Sequence, residues 1–110
     1  MTRDEILRKI AQIEQKEDDV NLLVRDLKKE EEDRYQYLVE SQRLLGHRHE
    51  DCQGDRELLM LLEEEQEVLR NIQNICNDFL CDLDEVQKKT RRECEIEIDE
   101  LRSQLQGLEV

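Results

Sequence analysis

"GHRHEDCQGD", residues 46–55, is the stretch where two glycines bracket a polar run, and its reading decides the fold. If the chain bends here, the sequence on either side folds back on itself; if it runs straight, the protein is a single rod. Each glycine costs about 1 kcal/mol inside a helix, so two of them close together favour a turn. The reading adopted is a loop over about 46–54, joining helix 1 (about 2–45) to helix 2 (about 55–106). A homodimer of straighter helices stays open, because tertiary contacts override a penalty of that size.

On the N-terminal side, "TRDE" at 2–5 has the form of a capping box: Thr2 caps the N–H of Glu5. From there a seam alternates steps of four and three through Ile6, Ile10, Ile13, Glu17, Val20, Val24, Leu27, Glu31, Arg34, Leu38, Ser41 and Leu45. On the C-terminal side, Asp55 is the expected N-cap. A second seam follows through Leu58, Leu62, Glu65, Leu69, Ile72, Cys76, Phe79, Leu83 and Val86. It continues through Thr90, Cys94 and Ile98 with successive steps of four, the mark of a stutter that locally unwinds a coiled coil. The apolar and thiol members up to Val86 are the expected core. Neither arm is stable alone, since a helix draws most of its stability from burying its stripe. The sequence therefore predicts an all-α fold. Two long antiparallel helices form a coiled-coil-like hairpin and a single domain over 1–110. Folding about residue 50 would set Arg34 opposite Glu65, a polar pair able to fix register.

Composition agrees with long helices. Charged residues are 43% of the 110 and there is no proline to stop a helix. Leu, Ile, Val and Phe still supply 31 positions, more than a disordered polymer of this charge carries. The net charge of −13 makes nucleic acid a poor partner, and the basic groups "KK" (28–29) and "KKTRR" (88–92) are hemmed in by acids. The longest apolar run, "LLMLL" at 58–62, is far below the roughly 20 residues of a membrane span. "MTRDEILRKI" has no apolar leader, so a cytoplasmic protein is expected, with export alongside a partner left open. Four cysteines without a CxxC pair read as reduced thiols.

No residue pattern specifies a reaction. His47, His49 and Cys52 offer at most three zinc ligands, in a spacing that matches no closed tetrahedral motif, and they read as a polar turn. A Cys–His nucleophile needs an oriented imidazole and an oxyanion site, and neither is marked. The acids coat helix faces without singling out an acid–base pair. The expectation is a non-enzyme with no catalytic residue, no metal and no cofactor.

What is left over is apolar surface. "LLMLL" is apolar nearly all the way round, so Leu59, Met60 and Leu61 exceed what one seam uses. Leu23, Tyr35, Ile75 and Leu80 add to the excess, as do Leu7 and Ile96. These seven, from Leu59 to Leu80 with Leu23 and Tyr35, are the candidate partner-binding residues. Self-association, including a homodimer, and docking of a helical partner both account for them.

A capped, acidic helical hairpin of this size with a spare apolar face resembles the LXG-associated α-helical proteins, the small partners of LXG toxins in type VIIb secretion. That resemblance covers the whole chain and implies a targeting factor or chaperone. Such a protein binds the helical LXG domain of a toxin, together with a second small helical protein, and accompanies the toxin to the export machine. The turn has no Trp-x-Gly, and Phe79 is followed four residues on by Leu83 instead of an aspartate, so the resemblance is to the class without those export signatures. A flagellar or type III-like export chaperone and a structural coiled-coil dimerisation module are the competing readings.

Overall fold

The computed structural model describes residues 1–52 and 54–109. Two helices, α1 over Arg3–Asp51 and α2 over Arg56–Glu109, run antiparallel as an all-α hairpin. α1 starts at the capping signal. The Thr2 hydroxyl accepts the Glu5 N–H at 3.3 Å and the Thr2 carbonyl accepts the Ile6 N–H at 3.1 Å. Donors that the first helical turn leaves over are satisfied in this way. Asp4 and Glu5 in the first turn and Arg48 and His49 in the last match the sign of the helix dipole.

Gly46 does not end α1, which runs through the expected loop to Asp51. The penalty of about 1 kcal/mol is outweighed by the extra turn, which extends the helix past buried Leu45 and sets His49 half-buried, its Nε2 3.9 Å from Glu63. The joint is therefore much shorter than the sequence indicated. The Cys52 N–H bonds back to the Arg48 carbonyl at 3.0 Å, and the Asp55 N–H bonds to the Cys52 carbonyl at 3.1 Å. Gly54 sits at φ +101°, a conformation that a side chain would strain. Asp55 caps α2: its Oδ1 accepts the Leu58 N–H at 3.2 Å and its carbonyl accepts the Leu59 N–H at 3.0 Å.

A later bend means a different register. Gln42 faces Gln73 across the hairpin, so Arg34, which precedes Gln42, lies level with residues beyond Gln73. The expected Arg34–Glu65 pair does not form. Arg34 instead donates to Glu31 on its own helix, and Glu65 is exposed.

Packing falls into two units. In Met1–Asp26 with Asp82–Val110, the buried residues are Ile6, Val24, Leu83, Cys94, Ile98 and Leu101. Ile10, Ile13, Val20, Thr90 and Leu105 are half-buried on the same seams. In Leu27–Cys81, the buried residues are Leu38, Leu45, Leu62 and the charged Glu31. Leu27, Ser41, Gln42, Leu69, Gln73 and Cys76 are half-buried there. Burying a leucine or isoleucine fully is worth about 1.5–3 kcal/mol, so the first unit has the stronger apolar core and the second the more polar one.

Candidate functional site

Helix α2 carries two heptad seams that are one residue out of step. In the Leu27–Cys81 unit, the inward seam is Leu59, Leu62, Gln66, Leu69, Gln73, Cys76 and Leu80, all buried or half-buried. The second is Leu58, Leu61, Glu65, Val68, Ile72, Ile75 and Phe79, all exposed. A one-residue offset is about 100° around a helix, so the second stripe looks out along the flank of the hairpin. Three of its apolar side chains are more than half exposed: Leu61 at 57%, Val68 at 55% and Ile75 at 67%.

This choice corrects the expected core. Hydrophobicity alone places Leu58, Ile72, Phe79 and Val86 in it, and all four are exposed. The positions that turn inward instead are Leu59, Gln73, Leu80 and Gln87. This face keeps the Glu65 carboxylate in water, with Gln66 inward in its place, and gives half-buried amides of α1 their partners. Gln42 Nε2 donates to Gln73 Oε1 at 3.3 Å in one unit. In the other, Gln87 Nε2 donates to Asn21 Oδ1 at 3.1 Å. A polar group taken from water without a partner costs about 1–3 kcal/mol, and these pairs remove that cost. Matched amides at 21, 42, 73 and 87 were the signal in the sequence, legible only with both helices read together.

Of the candidate partner-binding residues, Met60, Leu61, Ile75, Leu23 and Tyr35 are exposed. Leu59 and Leu80 are half-buried on the inward seam, and Leu80 lies beside Glu31, Glu32, Tyr35 and Gln36 of α1. Val68 and Leu44, absent from the candidate set, join the exposed surface. They help line an open groove of about 580 Å³ between the two helices, with Leu45, Leu61 and Leu69 as further apolar walls and Arg48 and Glu65 among its polar residues.

Glu31 is only 3% exposed; one carboxylate oxygen accepts from Arg34 and the other, Oε2, has no hydrogen-bond partner. Burial, and then the neighbouring Glu31 carboxylate, push the Cys76 thiol above its ordinary range. Burial, with the Glu17 carboxylate next in weight, does the same to Cys94. Such thiols stay neutral, the opposite of an activated nucleophile. His47 is exposed while His49 and Cys52 are half-buried, and among the described residues no three His, Cys, Asp or Glu side chains gather closely enough to hold a metal ion. No described helix is long and apolar enough to cross a membrane.

A scan against family models, a search of curated proteins and a search of solved structures each returned no match.

Proposed function

We propose that this chain is a non-enzymatic helix-binding protein, a hairpin that holds the helical part of a partner and serves it as chaperone or targeting factor. The observation that carries this reading is the exposed second seam of α2. A helix with one apolar stripe needs one neighbour, and α2 has two stripes with α1 covering only the first. Leaving Leu61, Val68, Ile72 and Ile75 in water forgoes about 25 cal/mol for each Å² of apolar surface, which a further helix would recover. The resemblance to LXG-associated proteins supplies a specific partner, the helical LXG domain of a type VIIb toxin.

The test is co-expression of the tagged chain with a candidate LXG domain, alongside purification from native cells and mass spectrometry of what co-elutes. A stoichiometric complex, with amide exchange slowed in both proteins, is the expected result. A flagellar or type III-like export substrate in the eluate would replace the LXG assignment. A tight homodimer that captures nothing would make the chain a structural dimerisation module and overturn the proposal.

A further inference from the structure

We infer that the docking surface is the stripe of α2 from Leu58 to Phe79, and that its occupant is an amphipathic helix of another protein whose apolar seam is edged by lysine and arginine. The inference rests on the helix-binding reading and specifies its site and the chemistry of its partner.

The stripe has the geometry of a coiled-coil seam. Its members recur at alternating steps of three and four, and at 1.5 Å per residue they span about 32 Å, enough for roughly three heptads of a partner helix. It adjoins the groove in which Leu44 of α1 faces Leu61 and Val68 of α2. A third helix laid there would cover both walls at once, as helices do in bundles.

Charge selects the occupant. Between Glu57 and Phe79, α2 carries six acids (Glu57, Glu63, Glu64, Glu65, Glu67 and Asp78) against one base, Arg70, and the α1 wall of the groove adds a single base, Arg48, so the acids stay in excess. Heptad spacing puts Glu57, Glu64 and Asp78 along one edge of the stripe and Glu65 within it. A second copy docking patch to patch would set these acids against their own counterparts, with −13 on each chain adding to the repulsion. A helix edged with lysine and arginine meets them with opposite charge, and a single basic residue in its seam, placed at Glu65, would fix its register.

The experiment uses the full-length chain and two synthetic 21-residue peptides, each with leucine and isoleucine at the seam positions. One has lysine at the edge positions and the other glutamate. Titration calorimetry is expected to show the lysine peptide binding at least 100-fold more tightly than the glutamate peptide, with the advantage shrinking in high salt. Val68→Asp with Ile75→Asp should weaken it at least 100-fold, whereas Leu22→Asp, exposed in the other packing unit, should leave it unchanged. If the aspartate pair lowers the far-UV helical signal, Val68→Gln with Ile75→Gln takes its place. Comparable binding of the two peptides, or full binding by the stripe variants, overturns the inference. So does a homodimer that Val68→Gln with Ile75→Gln dissociates, which would make a second copy the occupant. A native partner that still co-purifies with the stripe variants would sink this surface while leaving the helix-binding proposal standing.

Discussion

Gln42 and Gln73 meet across the hairpin, amide to amide at 3.3 Å, while Ile72, the residue next to Gln73, stands 40% exposed. An apolar side chain would fill the inward place more favourably if burial alone decided. The observed face instead pairs the Gln73 amide with its counterpart on α1 and keeps in water the Glu65 carboxylate, which the other face would carry inward. Gln42→Leu alone is therefore expected to lower stability by about 1 kcal/mol, since it orphans Gln73. Gln42→Leu with Gln73→Leu should restore the loss or exceed the parent. Urea melts of the two single variants and the double variant form the cycle that measures the coupling; strict additivity would mean that the pair does not act as one.

The two loop-region glycines should respond in opposite directions. Gly46 is helical with open space where a Cβ would go, so Gly46→Ala should stabilise the hairpin by about 1 kcal/mol. Gly54 has equally open space but φ +101°, so Gly54→Ala should destabilise by about 1–2 kcal/mol. Thermal unfolding of the pair separates backbone strain from steric fit, because neither alanine would touch a neighbour.

Much of this fold is legible in the sequence, for reasons that differ along the chain. Thr2 and Asp55 announce their helices because capping is a local matter of one side chain and the next turn. The α1 seam from Ile6 to Leu45 is readable because its inward positions are also its most apolar ones, apart from Glu17, Glu31 and Ser41; Arg34 alone of that seam is exposed. The α2 seam is not, since Leu62, Leu69, Cys76 and Leu83 belong both to the seam that periodicity predicts and to the inward seam observed, and leave the choice to their neighbours. Periodicity favours Leu58, Ile72, Phe79 and Val86 there. Gln73 and Gln87 belong to the other set, and their partners Gln42 and Asn21 lie on a helix far away in sequence. Gly46 misled for a simpler reason: a penalty of about 1 kcal/mol biases a boundary without setting it. The spare apolar surface was foreseeable as an excess of leucines around 58–62. Its exact line down the helix was not, because it depends on which stripe turns inward.

Glu31 is a carboxyl group buried between the helices, and its removal should help. Arg34, its partner, has a side chain 64% exposed and would simply return to water. Glu31→Leu frees the unpartnered oxygen from burial and fills the layer with carbon, so a gain of about 1 kcal/mol is expected in chemical denaturation. A loss of stability would show that the carboxylate holds something the hairpin needs.

Cysteine chemistry gives a pH signature. Cys76 and Cys94 have folded-state pKa values raised above the free thiol, so the folded protein holds their protons more tightly than the unfolded chain does. Stability from this source is fully present below the ordinary thiol range near pH 8.5 and falls as pH climbs through the raised values. Denaturation under reducing conditions should show the decline setting in above the free-thiol value of about 8.5, and Cys76→Ala with Cys94→Ala should flatten it. In alkylation kinetics, exposed Cys81 should react first and buried Cys94 last. Equal rates at the two sites would contradict the burial on which the pH argument stands.

Leu59 and Met60 are neighbours in sequence with opposite duties, and the pair offers a direct check on which stripe of α2 faces inward. Leu59 is half-buried on the inward seam and Met60 is 58% exposed. Leu59→Asp puts a carboxylate into that seam beside the polar joint and should cost about 2–3 kcal/mol, with loss of helical signal on warming. Met60→Asp changes a solvated position and should stay within about 0.5 kcal/mol of the parent. The contrast matters because a hairpin packed on Leu58 and Ile72 instead would turn Leu59 outward, and Leu58→Asp would then be the damaging change. Circular-dichroism melts of Leu58→Asp, Leu59→Asp and Met60→Asp therefore decide the rotation of α2: the inward stripe observed here requires that Leu59→Asp be the most destabilised of the three.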